Sequence, residues 1–240
     1  MLKINGNYLI LDTNVTTSNK KKITGHSFVA LANLDQYNKR GDAVLQLLGY
    51  YKSNVDPKWL KRGNMGEKMI EFILKKKNEE YKSYSEEDKR KNKWDFFPEY
   101  RQCGGIPDFE IPKKSTMIEV KSKSLNKYDE IKKEIPSAEL WQGLYYGYLR
   151  MYDTLQMAYV FFDAESENLL FNDKKPKTLD NCKVMFKKYN IKEFEVEKAI
   201  RNALNYYNGC IEYKAIPLED ISPDVLKHLQ DTGVVESNGM

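Results

Sequence analysis

The chain has 240 residues, with 39 Lys+Arg against 35 Asp+Glu (a formal net charge of +4), and it is 41% hydrophobic and 12% aromatic. That apolar content supports a buried core and excludes a globally disordered chain. No apolar run approaches the ~20 residues of a membrane span, and the N-terminus lacks a secretion signal, so a soluble, cytoplasmic protein is expected. Three dispersed cysteines (Cys103, Cys182, Cys210) and two histidines exclude a disulfide scaffold, a zinc ribbon and histidine-rich metal chemistry. Any metal must be held by oxygens, which selects hard cations such as Mg²⁺ or Mn²⁺. The mild positive charge permits a nucleic-acid partner without requiring one.

Tyr8-Leu9-Ile10-Leu11 predicts a short strand or extended arm. Thr24 or Ser27 caps a short helix that runs through Phe28, Val29 and Leu31, and Val44, Leu45, Leu47 and Leu48 recur at helical spacing over about 39–50. Asp56-Pro57 is a cap followed by a proline at the first helical position. Met69, Ile70, Ile73 and Leu74 then form a stripe over 64–78 that Lys75–Lys77 closes at the negative end of the helix dipole. Residues 78–93, almost without apolar side chains, are expected as an exposed, mobile loop. Strands are predicted at 94–101, 106–111 and 116–121, separated by Gly104-Gly105 and by Pro112–Ser115. A helix over about 137–153 carries Leu140, Trp141, Leu144, Tyr145, Tyr148 and Leu149 on its apolar side. Strands at 157–162 and 182–186 and an amphipathic helix over 192–208 follow, and 231–240 reads as a frayed tail.

The informative window is Pro107-Asp108-Phe109-Glu110-Ile111, a turn, then Ile118-Glu119-Val120-Lys121. Alternate strand residues share a face. Glu119 and Lys121 therefore oppose Ile118 and Val120, while Asp108 and Glu110 oppose Phe109 and Ile111. Paired as a hairpin, the two strands bring Asp108 and Glu119 onto one face with Lys121 a step further on. Two carboxylates on rigid strands suit a hard cation, and the Val120 carbonyl lies between the two charged residues. A lysine beside the metal can hold and polarise a water. The competing reading of Glu-x-Lys alone is a solvated cross-strand pair.

Pro107-Asp108 followed by Glu119-Val120-Lys121 resembles the signature of the PD-(D/E)xK nucleases. Arg62-Gly63-Asn64-Met65-Gly66-Glu67 is similar to the Arg-Gly-x-x-x-Glu element of one branch, the phage lambda-exonuclease (YqaJ-like viral recombinase) family. Trp141-Gln142-Gly143-Leu144-Tyr145-Tyr146 resembles that branch's Gln helix, and Ile23-Thr24-Gly25-His26-Ser27 its N-terminal Ile-Thr-(small)-Ser motif. The four pieces stand in the family's order and span about 23–150. The resemblance implies Mg²⁺ ligands at Asp108, Glu119 and the Val120 carbonyl. Lys121 would orient or deprotonate the water, Glu67 would sit near the metal directly or through water (Glu71 replacing it if Glu67 faces solvent), and Gln142 would position Lys121 or the phosphate. Where the branch carries an arginine before Ile-Thr, this chain has Lys20, Lys21 and Lys22, and His26 stands at the usual serine with Ser27 next to it. Lysines lack the bidentate fork of arginine. With Lys61, Arg62, Lys123 and Lys127 these are the candidate DNA contacts, while Lys75–Lys77 reads as a solvated face and Tyr145 and Tyr148 as core.

The resulting expectation is an α/β, restriction-endonuclease-like core, a central mixed β-sheet flanked by helices. One nuclease domain would span 1–240, with a catalytic core at about 23–163 and a C-terminal elaboration at 165–230. The resemblance implies a Mg²⁺-dependent (or Mn²⁺-dependent) exonuclease acting 5′–3′ on double-stranded DNA ends. It also implies a homo-oligomer, such as a trimeric ring that encloses DNA, a single-strand annealing protein as partner, and no membrane. A restriction-type endonuclease on the same core and an inactive DNA-binding module are the alternatives.

Overall fold

A computed structural model describes residues 2–12, 21–52, 56–172 and 182–236. In chain order these form β1 (Leu2–Asn5), β2 (Tyr8–Ile10), α1 (Gly25–Leu31), α2 (Arg40–Leu48), α3 (Pro57–Lys76), α4 (Glu86–Lys91), β3 (Phe109–Ile111), β4 (Thr116–Ser124), α5 (Tyr128–Lys133), α6 (Ser137–Leu149), β5 (Thr154–Phe162), α7 (Ala164–Phe171), β6 (Lys183–Asn190), α8 (Val196–Glu212), β7 (Ala215–Pro217), α9 (Pro223–Asp231) and β8 (Val235–Glu236). The expected mixed sheet flanked by helices is present, and there are two such sheets. Among the described residues no helix is long and apolar enough to cross a membrane.

The chain divides into two compact units. The first gathers Met1–Ser53, Phe97–Gly105 and Glu195–Met240. Its sheet has the order β7-β2-β1-β8, with β1 antiparallel to β2 and parallel to β8. Leu2 and Leu9 are fully buried in it. Val196, Ala199, Ile200, Ala203, Tyr207, Cys210 and Ile211, spaced three and four apart, bury one face of α8. The expected frayed tail is corrected for 231–236: Val235 and Glu236 pair with Leu2 and Lys3, and 237–240 lie outside the described residues.

The second unit comprises Asn54–Phe96 and Ile106–Phe194. Its sheet has the order β3-β4-β5-β6, with β4 and β5 parallel and the outer pairs antiparallel. Asp56 caps α3 by accepting from the Lys58 amide at 3.0 Å, and Pro57 opens the helix as expected. Met69, Ile70 and Leu74 of α3 pack with Ile118 and Val120 of β4 and with Ala158, Val160 and Phe162 of β5. On α6, Leu144, Tyr145, Tyr146 and Leu149 are buried, whereas Tyr148, expected in the core, is exposed.

Two loop and strand expectations are corrected. Part of 78–93 forms α4, where Ser85 and Asp88 make a reciprocal capping box. Glu86, Glu87 and Asp88 begin this helix and Lys89, Arg90 and Lys91 end it, which matches the dipole without any apolar face. No strand forms over 94–101, and Lys93 and Trp94 take positive φ values of 51° and 61° that an extended segment cannot contain.

Candidate active site

Alternation along β4 sends Ile118, Val120 and Ser122 toward α3, leaving Met117, Glu119 and Lys121 toward α6. Two glycines let the helices sit directly on the strands. A Cβ at Gly66 would lie 1.9 Å from Ser122 Oγ, and one at Gly143 would lie 2.7 Å from Leu155 Cδ1 and 3.2 Å from Glu119 Cβ. Gly66 thus sets the height of neighbouring Glu67, and Gly143 that of Gln142. Gly143→Ala is expected to cost roughly 1–3 kcal/mol in a denaturant melt, because the methyl overpacks a closed site. A wild-type midpoint would refute that close approach.

The β3–β4 ladder pairs Phe109 with Ile118, and the same register carried one step further sets Asp108 across from Glu119. There the ladder ends, and the Asp108 side chain takes over from backbone: its Oδ2 accepts from the Val120 amide at 2.7 Å. Glu119 is only 2% exposed. Its Oε1 accepts from Lys121 Nζ at 2.8 Å, and Gln142 Oε1 accepts from the same ammonium at 2.8 Å. Glu119 and Lys121 share the β4 face that alternation gave them, and Gln142 reaches the same ammonium from α6.

The electrostatics are those of crowded carboxylates. Burial, then the charges of Glu119 and Glu67, hold Asp108 well above the usual carboxylate range. Burial also raises Glu67, opposed by Lys89 and assisted by Glu119 and Glu86. For Lys121, burial pulls the ammonium down, but Glu119 and Asp108 outweigh it and the net shift is upward. Glu119 Oε2 is buried with no hydrogen-bond partner among the described residues. A buried, unpaired carboxylate oxygen is costly unless a cation or donor meets it. Among the described residues no three His, Cys, Asp or Glu side chains form a complete metal cage. Two carboxylates fit Mg²⁺ nonetheless, since that ion keeps waters and draws on substrate phosphates.

Glu71 is not at this site; it accepts from Tyr81 and pairs with Lys75. Most candidate DNA contacts are already engaged. Arg62 Nη1 lies 2.6 Å from Glu167 Oε1 and 3.3 Å from Ser124 Oγ, and Lys123 pairs with Glu139. Lys127 pairs with Glu130 at 2.8 Å. In the other unit, Lys22 Nζ donates to the Phe97 carbonyl at 2.8 Å, and Ser27 Oγ closes the α1 cap with the Thr24 amide at 2.9 Å. Lys21 and His26 are exposed, and Lys20 lies outside the described residues.

No family model matches the chain. Over 108 residues it is 29% identical to the uncharacterized protein MG373 homolog of Mycoplasma pneumoniae, a match covering 43% of this chain and 37% of that relative. The chain thus spans little more than a third of that relative's length. Among solved structures it resembles a phage related exonuclease from Haemophilus somnus (TM-score 0.54, 16% identity, 80% of this chain and 96% of that one). It also resembles an alkaline exonuclease from Laribacter hongkongensis (TM-score 0.53, 14% identity, 80% and 90%), which was solved with dAMP as well. The fold is shared with these exonucleases.

Sequence reasoning missed the acids that hold the cations, Glu139 and Glu167, and the partners of the buried acid Glu110. Glu110 accepts from Tyr84, from Tyr152 at 2.8 Å and from Arg150 Nε at 3.3 Å. Burial and the Glu110 carboxylate push Tyr84 up to about 12. The available signal was alternation, which already placed Glu110 on the face of Asp108.

Proposed function

We propose that the chain is a Mg²⁺-dependent deoxyribonuclease of the PD-(D/E)xK type, an exonuclease that degrades double-stranded DNA from its ends in the 5′–3′ direction. The observation that carries this reading is Lys121, held 2.8 Å from both Glu119 and Gln142, next to the strand end that Asp108 closes. The fold shared with phage-related and alkaline exonucleases supports it. The dAMP bound by the Laribacter enzyme is chemically the product of cutting single nucleotides from a DNA strand.

In this reading Asp108, Glu119 and the Val120 carbonyl would hold the Mg²⁺ (or Mn²⁺), and Glu119 Oε2 has the unmet capacity for it. Bound there, such an ion would acidify a water and neutralise charge on the phosphate. Lys121, its proton retained by the adjacent carboxylates, acts as a donor that orients the water and meets negative charge growing on the phosphate. Gln142 fixes the ammonium with a neutral oxygen, and so adds no further negative charge where a phosphodiester must approach. Glu67 takes part through its charge and a water. The homo-oligomer and the single-strand annealing partner belong to the same proposal, and sedimentation checks the first.

Digestion of linear and covalently closed circular plasmid in Mg²⁺ tests the mode. Loss of linear DNA alone, stopped by EDTA, is the expected result. Defined fragments from closed circles would replace the exonuclease with an endonuclease, and binding without cleavage would leave only a DNA-binding module.

A further inference from the structure

The segment between α3 and β3 is anchored beside Asp108 and carries a half-buried cation. Its backbone is pinned to the edge of β3, where Lys82 and Glu110 form a bridge with Lys82 N donating to Glu110 O at 2.8 Å and Glu110 N donating back at 3.0 Å. The Tyr84 hydroxyl then donates to the Glu110 carboxylate, and Tyr81 packs edge-on against Phe109. Both anchors lie within two residues of Asp108. They hold α4, whose side chains are exposed with one exception. Lys89 turns inward, 19% exposed, while its partner Glu86 at 3.0 Å is 65% exposed. Its charge opposes the upward shift that burial gives the Glu67 carboxylate.

Among the described residues, the other cations around the site are held by acids. Lys121 is shared between Glu119 and Gln142, Arg62 is clamped by Glu167, and Lys123 by Glu139. Those acids are 3%, 15% and 18% exposed, so each pair is shielded from exchange. Glu86 instead pairs with Lys89 across one turn of an exposed helix, an arrangement worth little in water. A phosphate competes well for an ammonium held in that way.

We propose that Lys89 is a phosphate-binding residue of the cleavage site, exchanging Glu86 for a backbone phosphate of the DNA strand that passes Glu67. The assignment rests on the nuclease reading above. It makes α4 a DNA-contacting element carried by the edge of β3, with Glu86 occupying the ammonium until DNA arrives.

The test is a salt titration of binding to a phosphorothioate duplex in Mg²⁺, read by fluorescence anisotropy, for the wild type and Lys89→Ala, Lys89→Arg and Glu86→Gln. Lys89→Ala is expected to weaken binding several-fold and to reduce the slope of log K against log salt by ~0.9, the signature of one lost phosphate contact. Lys89→Arg should keep most of the affinity, and Glu86→Gln, which frees the ammonium, should tighten binding. Wild-type affinity and slope in Lys89→Ala would overturn the assignment alone. Equal weakening in all three variants would mark α4 as structural and overturn it too. A wild-type protein that neither binds nor cuts DNA would overturn the nuclease reading, and the Lys89 assignment with it.

Discussion

Lys121→Ala is expected to lower cleavage of linear duplex by roughly 10²–10³-fold while leaving duplex binding within a few-fold of wild type. The side chain lies between Glu119 and Gln142, so its removal leaves two oxygens unpaired and no donor for water or phosphate. Binding survives because a single buried lysine, already matched by a carboxylate, contributes little to long-range attraction. Lys121→Arg should not rescue, because a guanidinium cannot fit the space that one ammonium fills with two 2.8 Å bonds. Single-turnover rates at saturating enzyme separate this from a binding defect. A Lys121→Ala enzyme with wild-type turnover would sink the assignment.

The second large effect is one of opposite signs. Asp108→Asn is expected to abolish Mg²⁺-supported cleavage yet to stabilise the metal-free protein at neutral pH by roughly 1 kcal/mol, or about 2–4 °C in Tm. Asparagine keeps an oxygen for the Val120 amide and removes one charge from a crowded set. The direction follows from linkage. Asp108 is raised in the folded state, so the fold binds its proton more tightly than the unfolded chain does. That contribution is fully present below the unfolded carboxylate value of about 4 and is lost as pH rises through the raised one. Glu67, also raised, acts with the same sign. The stability gain of Asp108→Asn over wild type in EDTA should therefore grow with pH across this window, and Mg²⁺ should erase it by stabilising only the wild type. A variant less stable than wild type at neutral pH would show that the Asp108 charge is not a burden on the metal-free fold.

The candidate site's strand geometry was legible because strand alternation is strict. Glu119 and Lys121 had to share a face, and a hairpin register had to bring Asp108 across from Glu119. Helix α3 was legible from Asp56-Pro57 and its apolar stripe, and α6 from its dense aromatic spacing. Helix α4 was not, since periodicity detects only helices with an apolar face and this one is stabilised by its cap and charge order. The division into two units was hidden for a different reason. The first unit joins β1 to β8 and β2 to β7 across most of the chain, and no local pattern encodes pairing at such separations. Nor does sequence reveal which acid meets which cation: Arg62 and Glu167 are 105 residues apart.

The bond from the Val120 amide to Asp108 makes the strand itself an observer of the site. A proton or cation that draws on the Asp108 carboxylate weakens its hold on that amide, so the Val120 ¹⁵N–¹H resonance and its solvent exchange should follow occupancy. Titrating Mg²⁺ or pH against that one signal would read the centre with no DNA and no turnover present.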